Sequence, residues 1–338
     1  MLSKLWKASA QLVGRAFSER SNTLSRLVEN NNIPDALQYV NTMLMCGNVE
    51  TSDEMKLSAQ SFFKAAKSDP YIENNISTMI SFNSLAGRCA ENQRWMNEIV
   101  CKQMKSLPLV TVIEAVHVSF QLKLSMTDTP IYKEFANYMK TFDIDVQLPS
   151  VESMINIANA YLQLSYKDTG FWKMYFNILN KLIDIYPELF MKHINSFLMP
   201  ISYLQKIVPK PYLSKLLAAY VGTLRTTILT HDEFLGSVLL LSKMKCNNPE
   251  VWKETDNYML LVEMDIMDLQ AIPEKIMCNL FKYYYEANKN PNPLFNAYVY
   301  SIATTSKELS NVEMLHKIII SKFPNDEKKK AYLEKSAK

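Results

Sequence analysis

A rhythm of about forty residues constrains this chain more than any other feature. Four segments open on a large aliphatic residue followed by proline or threonine, then continue as an amphipathic helical pattern: Leu107-Pro108, Leu148-Pro149, Leu229-Thr230 and Ile272-Pro273. In each, an aromatic residue opens a second helical pattern 23 to 25 residues later: Tyr132, Trp172, Trp252 and Phe295. The gap before it is polar and holds Asp128, Asp168, Asn247-Asn248 or Asn290. The interval 189–228 fits the same frame, with Leu189 opening it and Tyr212 following, and Tyr71 leads to Trp95 upstream. The anchors Trp95, Tyr132, Trp172, Tyr212, Trp252 and Phe295 therefore step by 37, 40, 40, 40 and 43 residues. Ile33-Pro34 opens a first, degenerate unit with no aromatic residue near Met55.

Each unit reads as a helical hairpin. Proline is free of cost at the first helical position, because that amide has no partner within the helix. Thr230 and Glu233 have the spacing of a capping box. In the 148 unit, Val151, Ile155, Ala158 and Leu162 recur at helical spacing beside Met154, Ile157 and Tyr161, a wider apolar arc than one neighbour needs. Stacked hairpins bury a helix on two sides in this way. Only 6 of 338 residues are glycine, which disfavours hairpin-rich β folds and phosphate-cradling loops. The predicted fold is all-α: an α-solenoid of about six or seven hairpins over 27–321, with the aromatic anchors buried at equivalent seams. A segment 1–26 precedes it and a charged tail 322–338 follows.

Residues 1–26 carry Lys4, Lys7, Arg15, Arg20 and Arg26 against Glu19, and Leu2, Leu5, Trp6, Val13 and Phe17 share one side of a helix. This is the composition of a mitochondrial presequence, and Arg15-Ala16-Phe17-Ser18 resembles a matrix-peptidase site. The expected location is mitochondrial, in the matrix or on the matrix side of the inner membrane. Removing both basic ends from the formal net charge of +3 leaves the body slightly acidic, without the surplus base of a phosphate-gripping protein. No run of apolar residues is long enough to span a membrane, so any membrane contact is expected to be peripheral. The five cysteines, Cys46, Cys89, Cys101, Cys246 and Cys278, form no CxxC pair and are expected as buried free thiols.

The search for chemistry is empty. None of His117, His193, His231 and His316 has a second histidine or a carboxylate at the i+3 or i+4 spacing of a helical metal pair, apart from His231 beside Asp232-Glu233, which is accounted for by the helix cap. There is no nucleophile elbow, P-loop or dinucleotide fingerprint. No catalytic, cofactor-binding or metal residue is assigned, no cofactor is expected, and the chain is expected not to be an enzyme. Tyr283-Tyr284-Tyr285 reads as one buried ring flanked by two at the surface or an inter-helix gap, and Lys328-Lys329-Lys330 as a solvated tail.

The repeat of about 40 residues, with its aliphatic-Pro start and aromatic second-helix anchor, resembles the organellar octotricopeptide and heptatricopeptide repeats. It is similar also to the helical region of FAST-kinase-like mitochondrial proteins. The resemblance covers roughly 70–315 and implies organellar RNA metabolism or mitoribosome association. The carboxyl end, KFPNDEKKKAYLEKSAK, departs from it, being too short and charged for a closing RAP domain. The expected function is a non-catalytic scaffold: an accessory subunit holding protein subunits of a mitochondrial complex, a mitoribosome or a respiratory-chain assembly. The alternative is an organellar RNA-binding repeat protein in transcript processing, stability or rRNA assembly, using first-helix residues such as Asn156, Asn159 and Asn279.

Overall fold

A computed structural model describes residues 20–47, 52–145, 147–262 and 274–287, with 299, 313, 315–317 and 321. The fold is all-α, with no strand among the described residues. The chain divides into two compact units, Met1–Met174 and Tyr175–Lys338.

The first unit runs through α1 (20–29), α2 (Ile33–Met45) and α3 (Asp53–Ala66). A 3-10 turn, Pro70–Asn75, leads to α4 (Ile76–Phe82), which widens into a π turn, Asn83–Gly87. Then come α5 (Ala90–Gln103), α6 (Leu109–Gln121), α7 (Ile131–Lys140), α8 (Val151–Gln163) and the start of α9 (Thr169–Ile185). The second unit takes the rest of α9, then α10 (Pro187–Lys192), α11 (Ile194–Leu204), α12 (Lys210–Thr226), α13 (His231–Lys243), α14 (Pro249–Leu261) and α15 (Glu274–Ala287). Helices pack on their second neighbours: α2 on α4, α4 on α6, α5 on α7 and α6 on α8 in the first unit. The same holds for α10 with α12, α11 with α13, α12 with α14 and α13 with α15 in the second.

Several first helices end alike. Lys123, Ser165 and Lys245 adopt left-handed backbone with φ of 57°, 53° and 52°. After each, the next amide reaches back to close the helix: Leu124 N–H to Ser119 O at 3.0 Å, Tyr166 N–H to Tyr161 O at 3.0 Å and Cys246 N–H to Leu241 O at 3.0 Å. With Lys123 N–H to Phe120 O, Ser165 N–H to Leu162 O and Lys245 N–H to Ser242 O, these are three Schellman closures. Asn31 closes α1 in the same way. The chain makes these turns without glycine, each at roughly 1–2 kcal/mol of backbone strain offset by two hydrogen bonds.

The second helix then seals the turn. The Trp172 indole donates to Tyr166 O at 2.8 Å, the Trp252 indole to Cys246 O at 2.8 Å, and the Tyr132 hydroxyl to Leu124 O at 3.0 Å. In all three the acceptor is the carbonyl just past the left-handed residue. The three rings are buried, as expected for seam positions.

The other anchors behave differently. Trp95 is half-exposed; the inward face of α5 is Asn92, Gln93, Met96, Asn97 and Val100. Gln93, fully buried and 39 residues before Tyr132, holds the seam position. Met55, at 1 % exposure, holds it in α3. Tyr212 is buried, but its helix sits one residue out of frame, with Leu216 and Leu217 inward and Lys215 half-exposed. The helix before it ends in a 3-10 turn, Gln205–Ile207, with no left-handed residue, and the Tyr212 hydroxyl has no hydrogen-bond partner. Phe295 and Asn290 lie outside the described residues.

Prolines and cysteines also differ from expectation. Pro34 lies in the first turn of α2, but Pro108 is the N-cap of α6, and Pro149 precedes Ser150, whose side chain caps α8 by accepting from Ser153 N–H at 3.1 Å. The 189 unit opens on Tyr186-Pro187, three residues before Leu189. In α8, Ile155 and Leu162 are half-buried, because the arc centres on Met154, Ile157, Ala158 and Tyr161. The Thr230–Glu233 capping box is formed, Thr230 Oγ1 accepting from Glu233 N–H at 3.3 Å. Cys246 is buried, whereas Cys89 and Cys101 are half-buried and Cys46 is exposed, since Cys46 and Cys89 sit at helix caps. The Cys278 side chain lies outside the described residues.

Candidate interaction surface

In the first unit, rotation of α5 by its amide seam leaves Trp95 on the opposite face, and that face floors a groove. One side is the end of α3 and the 3-10 turn. Lys67 Nζ stands 5.9 Å from the centre of the Trp95 ring and pairs with Glu91 at 3.2 Å. Gln103 donates to Glu73 at 3.2 Å. A cavity of about 300 Å³ here is lined by Lys67, Ile72, Glu73, Trp95, Glu98 and Ile99, and reaches Lys102. The other side is α7. A second cavity, about 440 Å³, also reaches Lys102 and is lined by Cys101, Lys105, Glu134, Asn137 and Tyr138. Lys102 borders both cavities. Charged residues lining them are three lysines, Lys67, Lys102 and Lys105, against four carboxylates, Asp69, Glu73, Glu98 and Glu134. Burial, with Glu134 and Glu98 nearby, pushes the Cys101 thiol up to about 11, so it stays protonated at neutral pH.

Beneath the groove, α5 is held by a buried polar network. Gln93 Oε1 accepts from Asn83 Nδ2 at 3.1 Å, and its Nε2 donates to Asn97 Oδ1 at 3.0 Å. Asn97 Nδ2 donates to Ser119 Oγ at 2.8 Å and Thr129 Oγ1 at 3.0 Å. Asn83 bonds Cys89 through both its carbonyl and its amide, so the loop into α5 is part of the network. A fully satisfied network of this kind fixes one arrangement, because each unpaired member would cost about 1–3 kcal/mol.

On α6, Ser81 donates to Glu114 at 2.6 Å, and burial raises the carboxyl above its ordinary range. One turn on, His117 is half-buried and bonded to Gln121 at 2.8 Å, and burial lowers its imidazole. A search for histidines and carboxylates three or four residues after each histidine misses this pair, because Glu114 stands three residues before His117. Ser81 with Glu114, and Gln121 with His117, account for the arrangement as helix packing. No group of three metal-ligating side chains occurs among the described residues.

Asn156 and Asn159 are half-buried on α8. Asn279 lies in α15 with its side chain outside the described residues. Tyr284 and Tyr285 are both buried and only Tyr283 is half-exposed, correcting the expected single buried ring. Tyr284 meets the Trp252 ring edge-on at 5.5 Å and the Tyr285 ring edge-on at 5.5 Å. His231 is exposed at the start of α13, and His193 caps α11. Residues 1–19, including Arg15-Ala16-Phe17-Ser18, and Lys328-Lys329-Lys330 lie outside the described residues. Among the described residues, no helix is long and apolar enough to cross a membrane.

No protein-family model matches the chain, and no curated protein matches it with significant similarity.

Proposed function

We propose that the protein is a non-catalytic α-solenoid scaffold with a period of about 40 residues, an accessory subunit holding protein partners within a mitochondrial assembly. The observation that carries this reading is the recurrence of one construction, in which Tyr132, Trp172 and Trp252 each donate to the carbonyl past a left-handed helix end. Packing on second neighbours supports it, since stacked hairpins bury each helix between the units before and after it. The mitochondrial assignment rests on the composition of 1–26. The groove on α5 supports protein over RNA as partner, because its carboxylates outnumber its lysines.

Gentle lysis of mitochondria followed by native size fractionation tests the reading. The protein is expected in a high-mass fraction; migration only as a free 39.0 kDa monomer would overturn it. Binding of single-stranded RNA by the purified protein near physiological salt, falling steeply as salt rises, would replace it with the RNA-binding alternative.

A further inference from the structure

Three tryptophans fall among the described residues, and they divide by role. Trp172 and Trp252 are buried and spend their indole N–H groups on backbone carbonyls. Trp95 is half-exposed, and its indole makes no hydrogen bond among the described residues. A ring with an apolar body and an unused donor at the floor of a groove is the residue type that dominates protein interfaces. Ile72 and Ile99 line the same cavity but are themselves buried, so Trp95 is its exposed apolar group.

Charge sets the rest of the partner's chemistry. Lys102 and Lys105 take part in no ion pair among the described residues, and neither does Glu98. Glu98 and Lys102 stand one turn apart on α5, roughly 6 Å along its axis, with Lys105 about a turn further. At the Trp95 end the carboxylates Asp69, Glu73 and Glu98 outweigh Lys67, and toward α7 Lys102 and Lys105 outweigh Glu134, so the balance of charge changes sign along the end of α5. An anionic polymer or an anionic lipid surface meets repulsion at the tryptophan end, whereas a polypeptide can match both signs.

On the scaffold reading, we propose that this groove docks a short amphipathic helix of a partner protein. The helix would set an apolar side chain on Trp95, a basic residue against Glu98 and an acidic residue against Lys102 and Lys105. Its base and acid would lie one to two turns apart on one face, flanking the apolar anchor.

The test uses the purified full chain and three synthetic helical peptides of about 15 residues sharing one leucine stripe. One is flanked by lysines, one by glutamates, and one has lysine at one end and glutamate at the other. Binding is read by isothermal titration calorimetry, which needs no reporter ring, and in the wild type also from the Trp95 indole N–H resonance. The mixed-charge peptide is expected to bind about tenfold tighter than either other peptide, and Trp95→Ala to abolish its binding with the thermal melt unchanged. Lys102→Glu with Lys105→Glu makes the groove uniformly acidic and should turn the preference to the lysine-flanked peptide. Equal affinity for all three peptides, binding unaffected by Trp95→Ala, or no binding would overturn the proposal. In mitochondria, a Trp95→Ala protein that still migrates in the high-mass fraction would sink the groove proposal and leave the scaffold intact. A wild-type protein found only as monomer would sink the scaffold reading itself.

Discussion

The packing under α5 and the packing under α14 are built by opposite means. At α14 the ring of Trp252 fills the space and its N–H closes the turn at Cys246 O. At α5 the side chains are amides, and Gln93, Asn83 and Asn97 fill the same role with hydrogen bonds. The indole seam draws on burial of a large ring, worth several kcal/mol, and tolerates error because most of that gain is non-directional. The amide seam draws on geometry and fails if one partner is lost. Either chemistry therefore seats a helix, provided the loop carbonyl and the gap are both satisfied.

The largest effect separating the two should come from truncating the ring. Trp252→Ala is expected to cost about 3–5 kcal/mol in urea unfolding, from lost burial, a cavity and an unpaired Cys246 carbonyl. Gln93→Ala and Asn97→Ala should each cost about 1–3 kcal/mol, and the double variant clearly less than their sum, since the second change removes a group the first has already orphaned. Additive losses there would mean the amides act independently, and the contrast would fail.

A finer comparison uses two tyrosines. Tyr132→Phe removes a donor that Leu124 O uses and should cost about 1 kcal/mol. Tyr212→Phe removes a buried hydroxyl that has no partner and should be neutral or stabilising. The turns themselves are next: Ser165→Gly and Lys245→Gly should each stabilise by up to about 1 kcal/mol in thermal melts, because glycine relieves the left-handed strain although it loosens the unfolded chain.

Acid gives the smallest difference. Asp168 accepts from Lys140 and from Phe171 N–H at the start of α9, and these contacts, the lysine foremost, hold its carboxyl below the ordinary range. Its stabilising effect is therefore present above the unfolded value and is lost as pH falls below about 4. The Gln93 network contains no titratable group. Hydrogen exchange at pH 3 should loosen the start of α9 before the start of α5, and Lys140→Ala should reduce that difference.

Much of the fold was legible from spacing. Helix after helix is written as a 3.6-residue apolar period, and the capping box at Thr230 and the anchors Tyr132, Trp172 and Trp252 stand where that reading put them. The exposed face of α5 was not legible, because the search for an aromatic anchor selects Trp95. Two residues on a helix are about 200° apart, so taking Trp95 in place of Gln93 exchanges the buried face of α5 for the exposed one. Nothing in a single sequence favours burying glutamine over tryptophan. The same blindness covers Tyr285, buried beside Tyr284, and Cys46, exposed at the end of α2.

By itself the sequence determined the helical character of the chain and the capped start of α13 at Thr230, since these follow from contacts within a few residues. Only the tertiary structure decided which side of α5 faces inward. That choice depends on whether Asn83, Ser119 and Thr129, brought from other parts of the chain, can satisfy two buried amides at once.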